Sequence, residues 1–156
     1  MLARGSQNIE WRKLDRALKD LESLVGSKKA ERVVQSSLNF AVGKASPLAK
    51  AARAMAPVRQ EDTGIKRTYK GNIKAPGYLS RNLDFKPIKG ANMVLFGPKA
   101  EAFYGTVFLE RQVGKFGSQG PWLEPAFNAT AKQTLDRLAN RLAQNIEKAR
   151  NKALSR

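Results

Sequence analysis

Glu61 and Asp62 are the only adjacent carboxylates in this sequence, and they sit in a short polar stretch just past Pro57. Two carboxylates can divide into acid and base when a pocket pushes their pKa values apart. A turn does not do this, because water keeps both ionised. The chain contains no cysteine and no histidine. Thiol nucleophiles, disulfides and zinc-finger sites are therefore excluded, and the commonest general base and metal ligand is missing. The loop "RQVGKFGSQG", Arg111 to Gly120, has three glycines that suit a phosphate cradle, but it lacks the Lys-Ser/Thr and the spacing of a P-loop. The expectation is a protein that is not an enzyme and takes neither cofactor nor metal.

What remains is charge. Lys and Arg total 29 against 13 Asp and Glu, a formal net charge of +16. Such a surplus favours polyanions or acidic protein surfaces as partners. It is unevenly spread. Between Gly64 and Lys99 lie Lys66, Arg67, Lys70, Lys74, Arg81, Lys86, Lys89 and Lys99, opposed by Asp84 alone. A second cationic stretch runs from Lys132 to the end, with seven basic residues against two acidic ones.

The elements that must position these charges are legible from apolar spacing. Asn8 to Val25 reads as an amphipathic helix, with Trp11, Leu14, Leu18, Leu21 and Val25 on one face. Asn8 suits its cap and Gly26 its stop. A second helix is predicted from Ser27 to about Ala56, on a seam of Val34, Leu38, Ala41, Ala45, Leu48, Ala52 and Met55. Pro47 interrupts it. Either the helix kinks there, or Ser46 caps a fresh helix with Pro47 in its first turn; the long seam favours a kink. Pro57 ends the run. Strands are expected at Arg67–Lys74, Asn92–Phe96 and Phe103–Glu110, divided by Gly and Pro. A third helix is expected from about Pro125 to Ala153, with Leu135, Leu138, Leu142, Ile146, Ala149 and Ala153 as its apolar face. Trp122, Leu123 and Phe127 read as the contacts that dock it.

At 156 residues the chain is about one domain long. Residues 1–156 are read as one domain, with residues 1–26 as a peripheral helix, 64–110 as the strand region and 125–153 as the C-terminal helix. Separated helical and strand blocks predict an α+β fold, the long N-terminal and C-terminal helices packed on one face of a small antiparallel sheet. No apolar run approaches the roughly 18 residues that would span a membrane, and Met1–Ser6 lacks the apolar core of a signal peptide. The expectation is no membrane, and manufacture in the cytosol.

Two stretches carry a resemblance. "AARAMAPVRQEDTGIKRTYKGNI" holds Ala56-Pro57-Val58, Thr63-Gly64, Lys66-Arg67 and Ile73. "YGTVFLERQVGKFGSQGPWLEPAFNA" holds Tyr104, Phe108-Leu109-Glu110, Gly114, Pro121-Trp122-Leu123 and Pro125-Ala126-Phe127. In order and spacing they resemble a family of long-tailed phage minor tail components, the lambdoid tail-completion or neck proteins, over roughly Leu48 to Ala129. Two departures stand out: Gln60-Glu61-Asp62 lengthens the turn, and Glu110 is followed by Arg111-Gln112-Val113-Gly114 rather than aromatic-Gly-Thr. The resemblance implies a virion protein of the tail or neck, assembled in the host cytoplasm. Copies would close into a homo-oligomeric ring, a hexamer by the tail's symmetry, beside neck and tail-tube or tail-terminator proteins, with genomic DNA passing by. The partner-facing candidates are Trp11, Lys66, Arg67, Lys70, Tyr104, Glu110 and Arg111. The alternative is a sequence-nonspecific nucleic-acid-binding protein, because Tyr69, Tyr78 and Phe85 interleave with the basic residues. No RNP, KH or helix-turn-helix pattern supports it.

Overall fold

The computed structural model of the chain describes residues 4–57, 77–88, 90–99 and 121–155. Their fold is α+β: helix-rich, with a two-stranded antiparallel sheet packed against helices. The order is α1 (Arg4–Val25), α2 (Ser27–Val42), α3 (Pro47–Met55), α4 (Tyr78–Arg81), β1 (Leu83–Ile88), β2 (Met93–Pro98) and α5 (Leu123–Leu154). The expected strands Arg67–Lys74 and Phe103–Glu110 lie outside the described residues.

Local chemistry explains most boundaries. Gly26 ends α1 with φ +85°, a left-handed conformation that a side chain would strain, and its N–H donates to the Glu22 carbonyl at 2.8 Å. The α2 register then starts one residue later. Beyond Val42 the sequence expectation of one kinked helix fails, and two helices stand where one was expected. The Ser46 N–H donates to the Gly43 carbonyl at 2.8 Å, and the buried Ser46 hydroxyl accepts from the Ala49 N–H at 3.0 Å. With Ser46 as cap, Pro47 occupies a first-turn position whose missing N–H costs nothing. A kink would have left Ser46 uncapping and the proline ring against the preceding turn.

The strand expected at Asn92–Phe96 appears as β2, which starts one residue later because Asn92 takes φ +45° in the connecting turn with Gly90 at +76°, and runs two residues further, through Gly97 and Pro98. Its partner β1, and the single turn of α4 before it, had no counterpart in the sequence reading. The third helix is found two residues earlier than expected, at Leu123. Pro125 falls in its first turn, where no intrahelical N–H is needed.

The chain divides into two compact units. One comprises Val42–Lys86 and Leu95–Lys132. Its core joins Ala52 and Ala56 at the end of α3, Leu79 of α4, Leu83 of β1, and Trp122 and Ala126 at the start of α5, with Ala51, Phe96 and Leu123 packed against them. The other comprises Met1–Ala41, Pro87–Val94 and Gln133–Arg156. There Leu21 of α1 meets Leu142 and Ile146 of α5, flanked by Leu14, Ala17, Leu18, Val25, Val33, Val34 and Ala149. Of the expected seam Ala41, Leu48 and Ala52 are buried, whereas Ala45 and Met55 are exposed, because the break at Ser46 takes the seam out of one continuous helical register.

Candidate functional site

In the first of these cores the two stretches that carry the sequence resemblance touch. Ala52 and Ala56 come from "AARAMAP", and Trp122, Leu123 and Ala126 come from "PWLEPAF". Trp122 is 2 % exposed and carries the large burial that holds the start of α5 down. Phe127 does not share that role. It is 52 % exposed, because the buried rows of α5 advance by four through Trp122, Ala126 and Thr130, and Phe127 lies one residue, about 100°, off that line.

In the second unit α1 and the last turns of α5 enclose an open groove of about 510 Å³. Leu14, Ala17, Ala143, Ile146 and Leu154 give it an apolar lining, and Lys13, Glu147 and Arg150 bring charge to it. Leu21 packs near Leu142 while Lys13 and Leu14 share the groove with Arg150 and Leu154, so the two helices run antiparallel. Trp11 is half-buried and lies one turn before Leu14 on the same face. The outer face of α1 is solvated. Its Lys19 ammonium donates to Asp15 at 2.8 Å, which, with the carboxylate's charge, holds the Lys19 pKa above its ordinary value.

Trp11 is thus the one candidate partner residue that the structure describes. Lys66, Arg67, Lys70, Tyr104, Glu110 and Arg111 lie outside the described residues. Of the cationic stretches, the structure describes Arg81, Lys86, Lys99 and the α5 residues Lys132 to Lys152. Lys86 and Lys99 are exposed, and α5 carries exposed Lys132, Lys148, Arg150 and Lys152.

The chain matches no family model, no curated protein and no solved structure.

A polar arrangement absent from the sequence reading lies where α2 meets α5. The Ser37 hydroxyl, fully buried, donates to the Val33 carbonyl at 2.7 Å and accepts from Asn145 Nδ2 at 2.9 Å. One turn further on, Arg137 Nε donates to the Phe40 carbonyl at 3.1 Å. That carbonyl is among the last four of α2, which have no partner inside the helix. Both Arg137 and Arg141 lay their guanidinium groups over the Phe40 ring, at 3.9 and 4.5 Å from its centroid. The i, i+4 spacing of the two arginines was the available signal, but spacing alone does not say that an aromatic ring will bridge them.

No helix among the described residues is long and apolar enough to cross a membrane.

Proposed function

We propose that this chain is a non-enzymatic structural protein of a tailed bacteriophage, completing the tail or joining it to the head at the neck as a ring of identical copies. The observation that carries the reading is the meeting of Ala52 and Ala56 with Trp122, Leu123 and Ala126 in one core. Two motifs some sixty-five residues apart in sequence, from Ala56 to Pro121, are then one structural feature rather than two coincidental runs. That is what supports taking their shared order and spacing as a family trait.

The mechanism is assembly. A closed ring needs the same head-to-tail contact repeated at each step, so each copy offers two different surfaces. One is the Trp11 end of α1 with the apolar groove beside it, where Leu154 is 64 % exposed. For the other, the sequence offers Lys66, Arg67, Lys70, Tyr104, Glu110 and Arg111 as candidates. Copies that each carry +16 repel one another. The contact between copies has to outweigh that repulsion, and the closed ring's surplus charge then suits acidic neighbours, the adjacent neck and tail proteins, or the DNA that passes through it.

Native mass spectrometry of the purified, nuclease-treated chain tests this. The reading expects one defined ring stoichiometry without nucleic acid, lost on Trp11→Ala. A chain that stays monomeric to its solubility limit, and assembles only irregularly on added polynucleotide, would sink it in favour of plain nucleic-acid binding.

A further inference from the structure

We infer that Arg137, Arg141 and Phe40 form a binding site for the phosphate groups of a polynucleotide backbone. The first observation is a placement that costs stability by itself. Arg137 and Arg141 are both half-buried and stand four residues apart on α5, the spacing at which like charges destabilise a helix. Their other neighbours at helical spacing are Gln133, Thr134, Leu138, Asn140, Gln144 and Asn145, none of them acidic. Among the described residues neither guanidinium has a carboxylate within ion-pairing distance, although Asp136 and Glu147 lie on the same helix. A cation drawn partly out of water without an anion is unfavourable.

The second observation is the state of the donors. Arg137 uses Nε on the Phe40 carbonyl, which fixes its plane on the ring. Arg141 Nε is buried without a hydrogen-bond partner, and so is the Thr134 hydroxyl, one turn before Arg137 on α5. Stacking on Phe40 holds Arg141 in place. With Arg137 Nε engaged and Arg141 Nε buried, the terminal Nη groups of two ring-stacked guanidinium planes are what is offered, and they present paired donors to phosphate as a lysine does not.

The third observation selects the source of the phosphate. Phe40 is 39 % exposed despite its two arginines, so an aromatic edge lies beside the charges. The Phe40 ring is already stacked by the two guanidinium groups, so a contact here is to backbone phosphates, which carry no sequence information. The net charge of +16 supplies the long-range attraction. The inference stands on these side chains whether or not the ring forms; oligomeric state and polynucleotide binding are separate readouts.

The test is fluorescence anisotropy of a labelled duplex with the full chain over a salt series. Arg141 is the residue to change, because it makes no hydrogen bond among the described residues. Arg141→Gln is expected to weaken binding roughly tenfold and to lower the slope of log K against log salt by about 1. Arg141→Lys, which keeps the charge and loses the fork, is expected to lose affinity to a smaller extent. Lys148→Gln removes one positive charge from an exposed position of α5 outside the groove and is expected to change binding little. Circular dichroism melts establish that each variant is folded; should Arg141→Gln not fold, the Arg141→Lys and Lys148→Gln comparison decides. Equal losses for Arg141 and Lys148 would overturn the site in favour of diffuse charge. So would unchanged duplex binding, whether Arg141-dependent binding then appears with inorganic phosphate alone or with polyglutamate.

Discussion

Around Trp122 the buried cluster is Ala52, Ala56, Leu79, Leu83, Trp122 and Ala126, and the buried hydroxyls of the same unit, Ser46 and Thr130, bond only to backbone three or four residues away in their own segment. Around Leu142 three apolar residues are buried, Leu21, Leu142 and Ile146, and the same unit places Ser37, Asn145, Arg137 and Arg141 along the meeting of α2 and α5. The first core gains its stability from area removed from water, which is non-directional and tolerant of small shifts. The second adds directional bonds, which fix the register of α2 on α5 but are expensive to leave half-made. The difference teaches where each core is vulnerable: one to lost volume, the other to a lost partner.

Removing volume is the harshest way to break the comparison. Trp122→Ala should cost about 3–5 kcal/mol, read as a fall in the midpoint of urea unfolding; a small loss would mean that the Trp122 core is not where the apolar stability sits. Removing a partner comes next. Ser37→Ala leaves the Asn145 amide without its acceptor and should cost about 1–3 kcal/mol, whereas Ser37→Ala together with Asn145→Leu should recover part of that loss. Additive losses in the double variant would show that the bond does not specify the register. A smaller effect of opposite sign is expected at Thr134. Its buried hydroxyl has no partner, so Thr134→Val should raise the melting temperature, by up to about 1 kcal/mol of stability. If Thr134→Val also lowers duplex affinity, the hydroxyl belongs to the phosphate site. The smallest effect is on the solvated face of α1, where Asp15→Asn breaks an exposed ion pair and should leave the melting temperature unchanged within error. Lys19 would lose the partner that raises its pKa, so the pair's slight stabilisation, present at neutral pH, fades as pH rises through the raised pKa.

The same contrast explains what could be read from the sequence. Apolar periodicity identified α1, α5 and the burial of Ala41 and Ala52, because area burial leaves its mark on residue type, but it also put Ala45, Met55 and Leu135 on apolar faces, and these are exposed. It failed at Ser46-Pro47, where an apolar seam continued across a break made by one side-chain hydrogen bond. It missed β1, since "LDFKPI" is short and its Pro87 reads against a strand. It also missed Ser37, Thr130 and Thr134, because small polar residues on a buried face look like surface ones until a partner is found. Of the candidate site, Trp11 lies in the structure's described residues and half-buried, as its place on an apolar stripe implies. The Phe40 arrangement was hidden for a physical reason: a guanidinium over a ring joins residues about a hundred positions apart, and no local pattern records it.

The central claim is a role at the joint of a tailed virion, and electron microscopy of particles made with this gene interrupted tests it most directly. The account predicts DNA-filled heads accumulating beside separate or overlong tails, with joined particles restored when the intact chain is supplied. Normal, joined and infectious particles in its absence would contradict it.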